Sequence, residues 1–376
     1  MFYKETDFKG TPLGEIPAQW DVVKLEEILH LRNGERPRIS NDGDVPVFGA
    51  NGIMGYTKEV LVDNDFSLIV GRVGASGEIH LGEGKVWVSD NAIYSENYEK
   101  ARAYLPYLFY SLKHRKLGQF ASKTTHPIIT QTFLNNFLVH LPPLSEQRGI
   151  VGVLGVVDSA VGLVDRVIAK TERLKKGLMQ TLLTRGIGHT EYKQTPIGTT
   201  PKTWDVVKLG DIVSLEYGKG LPQNSRREGH YPVVGSNGIV GYHNEALVKG
   251  PGIVVGRKGT IGAVSWIDND FWPIDTTYYV KTKRSDIFLR WLFFELTHLN
   301  LAKLHLADVV PGLKRDLAYS RIVPIPPLPE QRKIAEIIST IDKKLELERT
   351  EKTRLERIKR GLMDLLLTGK IRIKVD

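Results

Sequence analysis

The sequence predicts an α+β protein: two pseudo-symmetric α/β globules joined by two long helices that pair as an antiparallel coiled coil. Three observations carry this. The chain is written twice, its texture changes once within each copy, and each copy ends on a heptad seam.

The repetition comes first. WDVVKL at Trp20–Leu25 recurs unchanged at Trp204–Leu209. PVFGANGIMGY (Pro46–Tyr56) recurs as PVVGSNGIVGY (Pro232–Tyr242), and GRVGASG (Gly71–Gly77) as GRKGTIG (Gly256–Gly262). LPPLSEQR (Leu141–Arg148) recurs as IPPLPEQR (Ile325–Arg332), and KKGLMQTLLT (Lys175–Thr184) as KRGLMDLLLT (Lys359–Thr368). The offset stays between 184 and 186, so the unit is a duplicated domain pair rather than a solenoid repeat of about 20–50 residues.

Each copy opens on a globule, at 1–142 and 188–326. Gly, aromatic and β-branched residues dominate, with turn dipeptides such as Asn51-Gly52 and Asn237-Gly238. Short apolar runs (Phe66–Val70, Val86–Val88, Ile253–Val255, Thr277–Val280) read as strands, interrupted by helices near Leu105–Leu112 and Phe288–Leu296.

The helices follow, at 143–187 and 327–376. Ile150, Leu154, Val157, Val161, Val164 and Ile168 step by four and three, as do Ile334, Ile338, Ile341 and Leu345; Leu355, Ile358, Leu362 and Leu366 resume the pattern. Pro142-Pro143 and Pro326-Pro327 stop the helices from starting earlier, because the residue before Pro is pushed to extended geometry. Glu146 and Glu330 sit early and Lys175, Lys176, Arg357 and Arg360 late, matching the helix dipole. A helix over 145–183 would be about 58 Å long at about 1.5 Å per residue. A pseudo-two-fold then makes the two helices antiparallel. Two modules at fixed spacing suit a partner with two sites about 34 Å apart, one turn of duplex DNA.

Composition narrows the chemistry. Lys+Arg 52 against Asp+Glu 43 gives +9, which points to a polyanionic partner. The excess lies in 188–326 and the two helices, while residues 1–142 carry a net charge of −2. The absence of Cys excludes disulfides, thiolate metal sites and a cysteine nucleophile. The opening MFYKETDFKG lacks an apolar signal core, and Val151–Val164 is short of a membrane span, so a cytoplasmic protein is expected. No catalytic set is expected either. The chain has no phosphate-cradling G-x-x-x-x-G-K-[ST] loop, no methyltransferase-type N-P-P-[YF] loop and no His ligand spacing. Asp65 with Glu83 and Lys85 loosely suits a metal nuclease, but the second copy has no counterpart.

Taken together, the paired PPL-x-EQR junctions, GLM-x-x-LL-T helix ends, W-x-x-x-x-L openings and G-R-x-G-x-x-G turns resemble the specificity subunit of type I restriction–modification systems, over essentially the whole chain. The resemblance implies two target recognition domains, about 18–142 and 202–326, each reading one part of a bipartite duplex DNA target. It implies spacer helices at about 143–185 and 327–369 that dock two modification (methyltransferase) subunits, with restriction subunits recruited to the assembly. S-adenosylmethionine, ATP and Mg²⁺ would belong to those partners, leaving this chain without a cofactor or catalytic residues. A rival expectation is a coiled-coil scaffold joining two protein partners; a third is a standalone regulator.

Candidate DNA contacts follow. Arg72 and Arg257 lie in the Gly-flanked turns, with Lys258 beside the second; such a turn admits a phosphate and the arginine offers a bidentate contact. The G-x-N-G-I-x-G-Y stretches read as structural turns, since domains that read different bases should not share their readers. Base readers are expected where the copies diverge: Arg36, Arg38, Lys123, His126 and Gln131 in the first, Gln223, Asn224, Arg226, Arg227, Lys314 and Arg315 in the second. Gly177 and Gly361, equivalent helical positions, suggest a close helix approach or a docking surface shared with Leu178, Met179, Leu362 and Met363; a plain coiled-coil core is the alternative.

Overall fold

The computed structural model describes residues 2–122, 127–304 and 312–374. It divides into two compact units, Met1–Asp165 with Thr350–Asp376, and Arg166–Arg349. Each unit is a globule plus one half of each long helix.

In unit one a six-stranded sheet runs in the order Leu29–Asn33, Ala92–Tyr98, Val62–Gly71, Ile79–Val88, Val45–Gly49, Gly52–Thr57. Helix Leu105–His114 covers it, burying Leu105, Tyr107, Leu108 and Leu112. Unit two repeats the plan, divided into a four-stranded sheet (Val213–Tyr217, Thr277–Thr282, Gly252–Gly256, Val264–Ile267) and a three-stranded one (Gly238–His243, Tyr231–Gly235, Trp272–Pro273). The difference is local. Strand Ile79–Val88 serves both halves of the sheet, whereas its counterpart is interrupted at 268–271, where Asp268-Asn269-Asp270 is a poor strand former.

The long helices cover Leu144–Arg185 and Leu328–Leu366. Within each unit their segments run antiparallel. Unit one pairs Asp158 with Lys359 (2.5 Å) and Asp165 with Lys352 (2.7 Å); unit two pairs Lys175 with Asp342 (2.5 Å) and Glu172 with Arg349 (2.6 Å). Ile150, Leu154, Ile334, Ile338, Leu345 and Leu366 of the expected seams are buried, and Val157, Val161, Val164 and Ile168 are half-buried. Ile358 departs from the seam and is 41% exposed.

The repeated E-Q-R triplet fastens helix to globule the same way twice. Glu146 accepts the indole N–H of buried Trp20 (3.0 Å), and Glu330 that of Trp204 (2.9 Å). Gln147 and Gln331, both fully buried, act as staples. Gln147 Nε2 donates to the carbonyls of Arg102 and Pro142 (2.8 Å each), while its Oε1 accepts from the Tyr104 N–H (2.8 Å). Gln331 does the same with Asp286 (2.9 Å), Pro326 (2.9 Å) and Phe288 (2.7 Å). Arg148 and Arg332 lie over the rings of Tyr104 and Phe288, at 5.6 and 5.5 Å. The glutamines thus satisfy backbone groups where a chain leaving a Pro pair would otherwise orphan them.

Gly177 and Gly361 do not mark a close helix approach. Both are exposed, and a Cβ at either would meet nothing within 4 Å. Leu178 and Met179 pack on the core of unit two, and Leu362 and Met363 on that of unit one, so these four are used as core flanks. No helix among the described residues is long and apolar enough to cross a membrane, and no cluster of three or more potential metal ligands occurs among them.

Candidate nucleic-acid interface

The G-R-x-G-x-x-G turns are built identically. The backbone N–H groups of Arg72 and Val73 donate to the Asn91 carbonyl (2.8 and 3.3 Å), and those of Arg257 and Lys258 to the Thr276 carbonyl (2.9 and 3.1 Å). The last glycine of each turn serves the protein itself. Gly77 (φ +85°) and Gly262 (φ +73°) are left-handed, and a Cβ there would meet the backbone of Gly118 at 2.3 Å and of Ala302 at 2.2 Å. This glycine therefore packs the turn onto its own unit, while the middle one stays open in unit one: a Cβ on Gly74 would meet nothing within 4 Å.

Both turn arginines are held at the surface by a carbonyl. Arg257 donates Nε and Nη2 to the Asp275 carbonyl (3.1 and 2.6 Å), and Arg72 donates Nη1 to that of Asp90 (3.4 Å). In unit two they belong to a larger assembly. Tyr217, 50% exposed at the end of its strand, is flanked by the guanidinium groups of Arg315 (4.5 Å) and Arg257 (5.2 Å). Tyr278 lies beside it in the next strand and donates its hydroxyl to the Leu313 carbonyl (3.0 Å). Burial, then the neighbouring Tyr217, pushes that phenol up to about 12, so it stays neutral. With Lys258 and Lys314 these residues line a cavity of about 390 Å³, open to solvent and strongly cationic. An aromatic face among four cations is the chemistry that holds a phosphodiester or a base edge.

Unit one puts other side chains at the same places. Asn33 takes the position of Tyr217: Cα rows run Asn33–Ile93–Val70 in one unit and Tyr217–Tyr278–Val255 in the other. Gln131 takes that of Arg315, each opening a five-residue helix, Gln131–Asn135 and Arg315–Tyr319. Gln131 donates Nε2 to the Leu31 carbonyl (2.7 Å) and accepts from Asn33 Nδ2 (3.2 Å); Arg315 donates Nη1 to the equivalent Leu215 carbonyl (3.4 Å).

The remaining sequence candidates are dispersed. Arg36 and Arg38 are exposed on the loop after Asn33, with Arg38 facing Glu59 (3.6 Å). Gln223 and Asn224 are exposed on a single 3₁₀ turn. Arg227 is exposed, its backbone N–H donating to His243 Nδ1 (3.0 Å). Arg226 is half-buried and staples its loop, donating Nη1 to the Val240 carbonyl (2.7 Å) and Nε to the Leu221 carbonyl (3.3 Å). Lys123 and His126 lie outside the described residues. The sequence reading missed Asn33 and Tyr217. Their signal was the 184-residue offset itself, which sets an amide opposite an aromatic just before Gly34 and Gly218.

The G-x-N-G-I-x-G-Y stretches are hairpins that turn through Gly52 and Gly238, both left-handed. Ile53, Met54 and Tyr56 stand exposed on one, and Ile239, Val240 and Tyr242 on the other.

Known proteins agree with this architecture. The family model for the type I restriction modification DNA specificity domain matches twice, at residues 17–173 and 201–357. The type I restriction enzyme MjaVIII specificity subunit of Methanocaldococcus jannaschii is 28% identical, over 100% of this chain and 98% of its own length. The putative type I restriction enzyme MjaX specificity subunit of the same organism is 29% identical over 100% and 99%. The crystal structure of the type I restriction–modification S subunit from M. genitalium superposes with a TM-score of 0.71 at 19% identity, covering 93% of this chain and 96% of that one. With a specificity-domain match in each copy, spanning the turns and E-Q-R latches that the structure repeats, this chain belongs to the type I restriction–modification DNA specificity family.

Proposed function

We propose that this chain is the DNA-reading subunit of a type I restriction–modification enzyme, each unit reading one half of a bipartite duplex target. One observation carries the reading. The two units share the glycines and arginine of their turns and the Trp–Glu and glutamine contacts of their latches, yet differ at the side chains rimming the G-R-x-G turns, Asn33 and Gln131 against Tyr217 and Arg315. Shared residues build the domain; unlike residues at like places read unlike bases. Family membership favours this over a scaffold without DNA specificity.

On this reading two modification (methyltransferase) subunits dock on the chain and restriction subunits join the assembly. The twice-repeated apolar hairpin surface, Ile53–Met54–Tyr56 and Ile239–Val240–Tyr242, supports a partner present in two copies. The chain contributes no catalytic group, S-adenosylmethionine, ATP and Mg²⁺ act on the partners, and the complex works in the cytoplasm.

Methylation mapping in cells with and without the gene tests the function. The expected result is a bipartite motif whose methylation disappears with the gene. In vitro, duplex binding by the complex with its methyltransferase should weaken steeply with salt, log K falling linearly with log salt. A methylation pattern indifferent to the gene would reject the reading.

A further inference from the structure

Resting on that reading, we propose that the strand-end and short-helix pair, Asn33 with Gln131 in unit one and Tyr217 with Arg315 in unit two, is where each domain specifies one base pair: A·T for the first, G·C for the second.

Three observations support the assignment. The places are equivalent in backbone register, as the matched strand rows show. The anchor is retained while the chemistry changes, since Gln131 and Arg315 each donate to the carbonyl of the equivalent leucine, Leu31 and Leu215. Lastly, both places border the G-R-x-G turn, whose carbonyl accepts from the segment leading into the short helix in each unit: Arg72 from the Ile129 N–H (3.1 Å) and Arg257 from the Leu313 N–H (2.9 Å). A contact that only held the DNA backbone would have no reason to differ between the copies.

The hydrogen-bond inventory then fixes the base. Gln131, half-buried, is held through both ends of its amide, to the Leu31 carbonyl and to Asn33, and so orients the exposed Asn33. Asn33 is exposed and gives one Nδ2 hydrogen to Gln131, which leaves Oδ1 and a second N–H available to a ligand. That acceptor–donor pair matches the N6 amino group and N7 of adenine. In unit two the tyrosine has no such pair and becomes a platform. Arg315 lies over it, with one long bond of 3.4 Å to the protein, and offers the rest of its fork to O6 and N7 of guanine.

The test maps methylated motifs made by the full complex carrying Asn33→Ala, Asn33→Asp, Arg315→Ala or Arg315→Lys. Asn33→Ala should cut discrimination about tenfold or more at a single A·T position of one half-site. Asn33→Asp should redirect that position toward cytosine, whose N4 donates to a carboxylate; a new preference can only come from a folded protein. Arg315→Lys should relax a single G·C position of the other half-site, because lysine keeps the charge and loses the fork. Unchanged motifs at full methylation in all four variants would overturn the proposal and leave the parent reading standing. Arg315→Lys without effect, together with Arg315→Ala lowering methylation evenly across the motif, would make that arginine a backbone contact and overturn the second half of it. Absence of any bipartite methylation by the unaltered complex would overturn both readings.

Discussion

Unit one closes its Trp–Glu latch with an arginine, and unit two closes the same latch with a histidine. In unit one Glu146 receives Nε and Nη2 of Arg372 (2.6 and 2.7 Å), and Glu5 takes Nη1 (2.5 Å). In unit two Glu330 receives His189 (2.8 Å) and the Ile187 backbone N–H (3.0 Å). Arg372 and His189 each stand three residues after a left-handed glycine, Gly369 and Gly186, so the places correspond. A second contrast lies in the cores. Ser111 of unit one is replaced by Glu295, 1% exposed, and Tyr107 by Trp291; Glu295 Oε2 and Trp291 Nε1 have no hydrogen-bond partner among the described residues. The copies kept what orients helix on globule and let the polar groups around it drift, so unit two carries the titratable version at both places.

The contrast can be broken most directly at the latch. Glu146→Ala should destabilise unit one by about 3 kcal/mol, because Arg372, 3% exposed, is left with Glu5 as its one carboxylate partner and the indole N–H of Trp20 is stranded. Glu330→Ala should cost unit two about 2 kcal/mol, since it strands the indole N–H of Trp204 and the Ile187 backbone N–H but no buried guanidinium. Urea unfolding of the two variants measures both, and equal losses would end the distinction.

A comparable effect is expected from Glu295, read through pH. Burial raises its carboxyl from 4.5 to about 8. The folded state therefore holds a proton that the unfolded chain releases. Stability from this group is whole below pH 4.5, falls as pH rises, and levels off above about 8, a loss on the order of 3–5 kcal/mol. Glu295→Gln should flatten that slope in unit two. Unit one, with Ser111 in its place, should lack the slope from the outset. Thermal melts between pH 5 and 9 would show it, and parallel melting of wild type and variant would remove Glu295 from the account.

The smallest change concerns a place where the units agree. Gly177→Ala and Gly361→Ala should each stabilise by about 1 kcal/mol, because both glycines are helical and a Cβ finds open space. A loss at either would mean that the helix surface there is already covered.

The duplication and both helices could be read from the sequence, because identity at a fixed offset and a four–three hydrophobic step are local signals. The latches were visible only as letters. Trp20 and Glu146, like Trp204 and Glu330, are 126 residues apart, and nothing in W-x-x-x-x-L or E-Q-R says that one holds the other. The cationic cluster of unit two was legible in part. Arg257, Lys258, Lys314 and Arg315 are legible from charge and from their turn or divergent setting, but the tyrosine that gathers them is not, because an uncharged aromatic at a strand end reads as core. The bonds of Arg226 to the Val240 and Leu221 carbonyls were not legible either, because its charge says nothing about which carbonyls the loop brings to it.

The rungs between the helices carry a consequence for how such chains can change length. From Asp158–Lys359 to Asp165–Lys352 the first helix advances seven residues and the second retreats seven; from there to Lys175–Asp342 each moves ten. The partner numbers of these three rungs thus share a constant total, and Glu172–Arg349 lies about one helical turn off it. A segment inserted into one helix breaks that constancy for every rung on one side of it. Only a segment of equal length, inserted between the matching rungs of the other helix, restores it. Indels in lineages of this chain should therefore come in mirrored pairs, recorded at two distant places in the gene.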